Sequence, residues 1–69
     1  MKVIRLRDDY IKLGQALKAS GLVGSGAEAK EVIMEGNVRV NGETETRRGR
    51  KLYAGDIITF NGEEVKIED

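Results

Sequence analysis

Apolar residues recur along this chain at two different periods, helical in the first half and alternating in the second. Residues 2–7 set Val3, Ile4 and Leu6 among cations and predict a first strand. Asp8 or Asp9 then offers an N-cap. Tyr10, Leu13, Ala16, Leu17 and Ser20 follow at three- and four-residue spacing, which is one face of a helix; Ile11 falls off that stripe. Gly21 suits the left-handed position that ends a helix, with Leu22 placed for the apolar contact beyond it. Ser25 with Glu28 three residues on is the pattern of a capping box and opens a second helix. Ala29, Val32 and Ile33 form its apolar stripe and Gly36 ends it.

After Gly36 the period drops to two. Val38 and Val40 alternate with Asn37, Arg39 and Asn41, and Asn41-Gly42 is a tight-turn signal. A less regular stretch leads to Leu52-Tyr53 and a turn at Ala54-Gly55-Asp56. Residues 57–60 predict a strand, Asn61-Gly62 a second hairpin turn, and Val65 with Ile67 a last strand. The expected architecture is α+β, with two short packed helices against a small antiparallel sheet.

The chain has 69 residues, so one domain over residues 1–69 is expected. It has no Cys and no His, which removes disulfides, thiolate or imidazole metal sites and imidazole bases; no cofactor is expected. No apolar run reaches the length of a membrane span, and residues 1–7 lack the continuous apolar stretch of a signal peptide, so a cytoplasmic protein is expected. Glu63 and Glu64 are adjacent on a strand and point to opposite faces, so they cannot act as a catalytic pair.

Twelve basic and twelve acidic residues give zero net charge, which taken alone argues against nucleic acid. The distribution changes that picture. Residues 37–52 carry Arg39, Arg47, Arg48, Arg50 and Lys51 against Glu43 and Glu45, whereas residues 53–69 carry Lys66 against five acids. Screening erases distant charges, so the local field decides what a surface attracts.

Arg47-Arg48-Gly49-Arg50-Lys51 is the sharpest cluster. Arginine matches phosphate bidentately, and Gly49 lets the backbone approach a ligand. Pairing of these cations with the acidic C-terminal strand is the competing expectation. Ser25 and Gly26 are small, so the first amides of helix two are accessible to an anion, and Lys30 lies on the same flank, while Glu28, Glu31 and Glu35 take the opposite one. Lys12 and Lys18 are helix-surface lysines. Arg39 projects away from Val38 and Val40 and suits either a phosphate or a cross-strand pair with Glu43 or Glu45. The three aromatics Tyr10, Tyr53 and Phe60 are scattered in sequence, so a stacking platform for single strands is not expected, and recognition of a folded RNA by shape and backbone is.

From Ile11 to Ile58 the chain resembles the S-four-like RNA-binding domain. Ser25-Gly26-Ala27-Glu28-Ala29-Lys30, Ile33, the run Gly36-Asn37-Val38-Arg39-Val40-Asn41-Gly42, and Gly55-Asp56-Ile57-Ile58 follow that family's order and spacing. Residues 46–51 are similar to a stretch in its small stand-alone bacterial members of the YaaA/YbcJ type. The resemblance implies the two-helix alpha-L motif, no catalysis, and binding to structured RNA, ribosomal or transfer, with the ribosome as a candidate partner and neither a membrane nor a small-molecule substrate. Two positions depart from the pattern: Gly26 stands where many members have Arg, and Gly14 where many have Asp. The expected RNA-binding residues are Lys12, Ser25, Gly26, Lys30, Arg39, Arg47, Arg48, Arg50 and Lys51, brought by folding to one side of a neutral molecule. The competing function is a protein-interaction module docking on a ribosomal or replication protein.

Overall fold

Val38 and Val40 are buried and Arg39 between them is exposed, so the alternation read from the sequence fixes which face of the sheet meets the helices. The computed structural model describes all 69 residues, Met1–Asp69. In chain order the elements are β1 (Lys2–Arg5), β2 (Ile11–Lys12), α1 (Leu13–Ala19), α2 (Gly26–Met34), β3 (Val38–Val40), β4 (Glu43–Thr44), β5 (Lys51–Leu52), β6 (Ile57–Phe60) and β7 (Glu63–Glu68). Five strands form one sheet in the order β1-β7-β6-β3-β4, and β2 with β5 forms a separate two-stranded ribbon. The helices cover one face of the larger sheet. Leu13, Ala16 and Leu17 from α1 and Ala29 and Ile33 from α2 join Val38, Val40, Ile58, Val65 and Ile67 in one core.

Both helices stop as their glycines predict. Gly21 and Gly36 have φ of 77° and 80°. The amide of Leu22 reaches the carbonyl of Leu17, and that of Asn37 the carbonyl of Val32, which closes the last turn of each helix. Ser25 caps α2, its Oγ accepting from the Glu28 amide at 3.1 Å. Asn41-Gly42 and Asn61-Gly62 hold consecutive positive φ values, the geometry of a two-residue hairpin turn.

Two expectations need correction. The sheet is mixed, because β1 runs parallel to β7, Lys2 opposite Val65 and Arg5 opposite Glu68. Its other pairings are antiparallel. The chain between first and last strands is long enough to make the crossover that a parallel pair requires. The first helix begins at Leu13 with Lys12 as N-cap, not at Asp8 or Asp9. Ile11 pairs with Leu52 and Lys12 with Lys51, so strand pairing holds these residues out of the helix. That pairing also explains why Ile11 lies off the helical stripe.

Candidate nucleic-acid interface

The segment between β4 and β5 carries three of the arginines and docks on the start of α1 through its backbone. The Leu13 amide donates to the Arg50 carbonyl and the Gly14 amide to the Arg48 carbonyl, each at 2.9 Å. The Lys12 amide donates to Gln15 Oε1 at 3.2 Å. The first amides of α1, which a helix leaves without partners, are thus used up by the arginine loop and a side chain. Gly14 suits this docking: a Cβ there would lie 3.6 Å from both the Arg48 Cβ and the Arg48 carbonyl oxygen.

Glu45 organises the loop from within. It is the one charged residue among the buried set, at 6 % exposure. Its carboxylate accepts from the amides of Thr46 and Arg47, from Arg47 Nε and a terminal Arg47 nitrogen, and from a terminal Arg50 nitrogen, all at 3.0 Å. The Arg47 side chain foremost, with Arg50 and the Arg47 amide, outweighs the opposing effect of burial and holds the Glu45 pKa at about 2. Arg47 and Arg50 are therefore neither paired with the C-terminal strand nor free, since one carboxylate engages both.

Arg48, between them, turns the other way. It lines a groove of about 340 Å³ with Lys12, Gly14, Gln15, Lys18, Gly26, Ala29, Lys30 and Gly49. Four cations and no acid form these walls, and none of the four takes part in an ion pair. Gly26 is open, since a Cβ there meets nothing within 4 Å. The site gathers one stripe of α1, the first two turns of α2 and the tip of the arginine loop. Unpaired cations around a concavity favour a polyanion whose charges are spaced along a backbone.

Of the expected residues, folding brings Lys12, Gly26, Lys30 and Arg48 together. Ser25 sits at the edge of the site and spends its hydroxyl on the helix cap. Lys51 lies over the Tyr10 ring, 4.8 Å from its centroid. Arg39 does not join the groove: it stands between Thr44 and Thr59 on the sheet face turned away from the helices, and neither Glu43 nor Glu45 pairs with it. Lys18 and Gln15 are groove residues that the sequence reading left out of the site. Their signal is the polar spacing of Lys12, Gln15 and Lys18, three residues apart from the N-cap of α1 onward. Tyr10 and Tyr53, scattered in sequence, come together with ring centroids 6.1 Å apart.

The fold is that of a small RNA-binding module. A family model for the S4 domain matches residues 4–68, and the chain belongs to the S4 domain family. It is 44 % identical over 59 residues to RlbA of Bacillus subtilis, described as a probable ribosome maturation protein, covering 86 % of this chain and 83 % of that one. It is 41 % identical over 58 residues to YbcJ of Escherichia coli, covering 84 % and 83 %. The solution structure of YbcJ, reported to reveal an αL motif involved in RNA-binding, superposes with a TM-score of 0.77 at 37 % identity over 100 % of this chain and 89 % of that one. The 30S ribosomal protein S4e of Thermoplasma acidophilum gives a TM-score of 0.63 at 26 % identity, covering 84 % of this chain and 31 % of that one. No helix of the protein is long and apolar enough to cross a membrane.

Proposed function

We propose that this protein binds structured RNA, ribosomal or transfer, by seating the phosphate backbone in the groove between α1, α2 and the arginine loop. The observation that carries the reading is the ring of Lys12, Lys18, Lys30 and Arg48 with no carboxylate among them. Lys12 approaches from the end of β2, Lys18 from α1, Lys30 from α2 and Arg48 from the loop, so the groove offers separately anchored cations to successive phosphates. Gly26 leaves space beside the first amides of α2, where a phosphate oxygen can approach. Glu45, with Arg47 and Arg50, keeps the loop in shape before RNA arrives, which lowers the ordering cost of binding. The protein catalyses nothing itself and acts in the cytoplasm, in association with the ribosome or its precursors. The name of RlbA, a ribosome maturation protein, supports the ribosomal setting, and that of YbcJ supports RNA binding.

Affinity then falls steeply with salt, because each seated phosphate releases counterions. Crosslinking in cells followed by sequencing of the bound RNA tests the assignment. Enrichment of ribosomal or transfer RNA, lost in an Arg48→Ala/Lys30→Ala variant, is the expected result. A partner that stays bound after nuclease treatment, with no enriched RNA, would make the protein a docking module instead.

A further inference from the structure

The ribbon of β2 and β5 has an outer face of which the groove uses only Lys12. Ile11 pairs with Leu52, and Leu52 is fully buried, so this pair faces the core. On a two-residue period the opposite face carries Tyr10 and Lys12 from one strand and Lys51 and Tyr53 from the other. Lys12 lies directly across from Lys51. Continuing the register one residue outward sets Tyr10 across from Tyr53, and the rings meet at 6.1 Å with a 52° tilt. Tyr10 is 37 % and Tyr53 50 % exposed, whereas Phe60 packs against the core.

Two features of this face ask for a ligand. Like charges directly opposite on paired strands repel, and no carboxylate forms an ion pair with either lysine. An aromatic pair exposed to this degree leaves ring surface in water that a planar partner would cover. The face is also continuous with the groove. Lys12 and Gln15 line both the groove and the depression beside it that reaches Tyr10. Arg7, Asp8 and Asp9 also line that depression.

We propose that this face is a nucleotide subsite that takes one unstacked base of the bound RNA on the Tyr53 ring and its phosphodiester between Lys51 and Lys12. The inference rests on the reading of the groove as an RNA-phosphate site. The two rings are too close for a base to enter between them. Lys51 covers the Tyr10 ring and holds it in place. The more exposed Tyr53 is the stacking surface. Stacking of this kind tolerates any base. The ligand is therefore a folded RNA whose helix ends in, or is interrupted by, an unpaired nucleotide, and the protein marks that junction rather than a sequence.

The test uses a blunt RNA hairpin and the same hairpin with a short single-stranded overhang containing a fluorescent adenine analogue. The overhang should bind about ten-fold more tightly than the blunt form, with quenching of the analogue. Tyr53→Ala should abolish both the preference and the quenching while leaving blunt-hairpin affinity unchanged, and Tyr53→Phe should keep them. Equal affinity for the two hairpins, or an equal loss on both in Tyr53→Ala, overturns the subsite and leaves the groove reading intact. Binding to neither hairpin overturns the groove reading and this one with it.

Discussion

Residues 45–50 and the groove beside them carry the same kind of side chain in opposite electrostatic settings. Arg47 and Arg50 share the Glu45 carboxylate. Arg48, one peptide bond from Arg47, has no acidic partner and faces Lys12, Lys18 and Lys30 across open space. A run of cations in a sequence is thus two things at once: arginines that hold a loop in shape, and one that the loop presents. What separates them is a single buried acid. Its cost of burial is met by five hydrogen bonds.

Removing that acid is the strongest way to break the comparison. Glu45→Ala strips both arginines of their partner and loosens the segment that closes the start of α1, at a cost of about 2–3 kcal/mol. For a domain of this size that lowers the melting temperature by about 15 °C, read by circular dichroism. The pH dependence has a defined sign. The Glu45 pKa is depressed from 4.5 to about 2, so its contribution is present above pH 4.5 and is lost as pH falls towards 2. It amounts to at most about 3 kcal/mol, reduced by screening at the exposed Arg47 end. An acid titration of stability should show this loss in the wild type and not in Glu45→Ala.

The groove side responds in binding instead. The triple variant Lys12→Ala/Lys30→Ala/Arg48→Ala should bind structured RNA about a hundred-fold more weakly at low salt in a filter-binding assay, with the melting temperature little changed. A gain sharpens the same point. Gly26→Arg adds a cation at an open position in the groove wall and should tighten binding about five-fold. An unchanged or weaker affinity would show that phosphates do not reach this wall. The smallest effect belongs to Arg39→Ala. Its side chain stands on the far face of the sheet, so affinity should stay within about two-fold of wild type.

The fold was readable because its signals are local. Ser25, Gly21, Gly36 and the two Asn-Gly turns each act through neighbouring backbone, and the structure uses them as the spacing implies. The start of α1 was misplaced because it depends on a partner remote in sequence: Ile11 and Lys12 are drawn into a ribbon by residues 51 and 52. The parallel pairing of β1 with β7 is likewise a long-range fact that alternation cannot reveal. That Lys12, Gly26, Lys30 and Arg48 share one side of the molecule was legible in the sequence. Pairing was not. That Glu45 folds back onto Arg47 and Arg50, and that Arg39 points to the far face, depend on which side of a strand each residue takes once the helices are in place. The same limit hid the approach of Tyr10 to Tyr53, which strand register creates.

The most direct test compares the salt dependence of RNA binding in Arg48→Ala and Arg47→Ala. Arg48→Ala should lower the slope of log affinity against log salt by about one unit and leave the melting temperature unchanged. Arg47→Ala should leave the slope at its wild-type value and lower the melting temperature. Equal flattening by both substitutions, or flattening by Arg47→Ala alone, would contradict the division of labour within the loop.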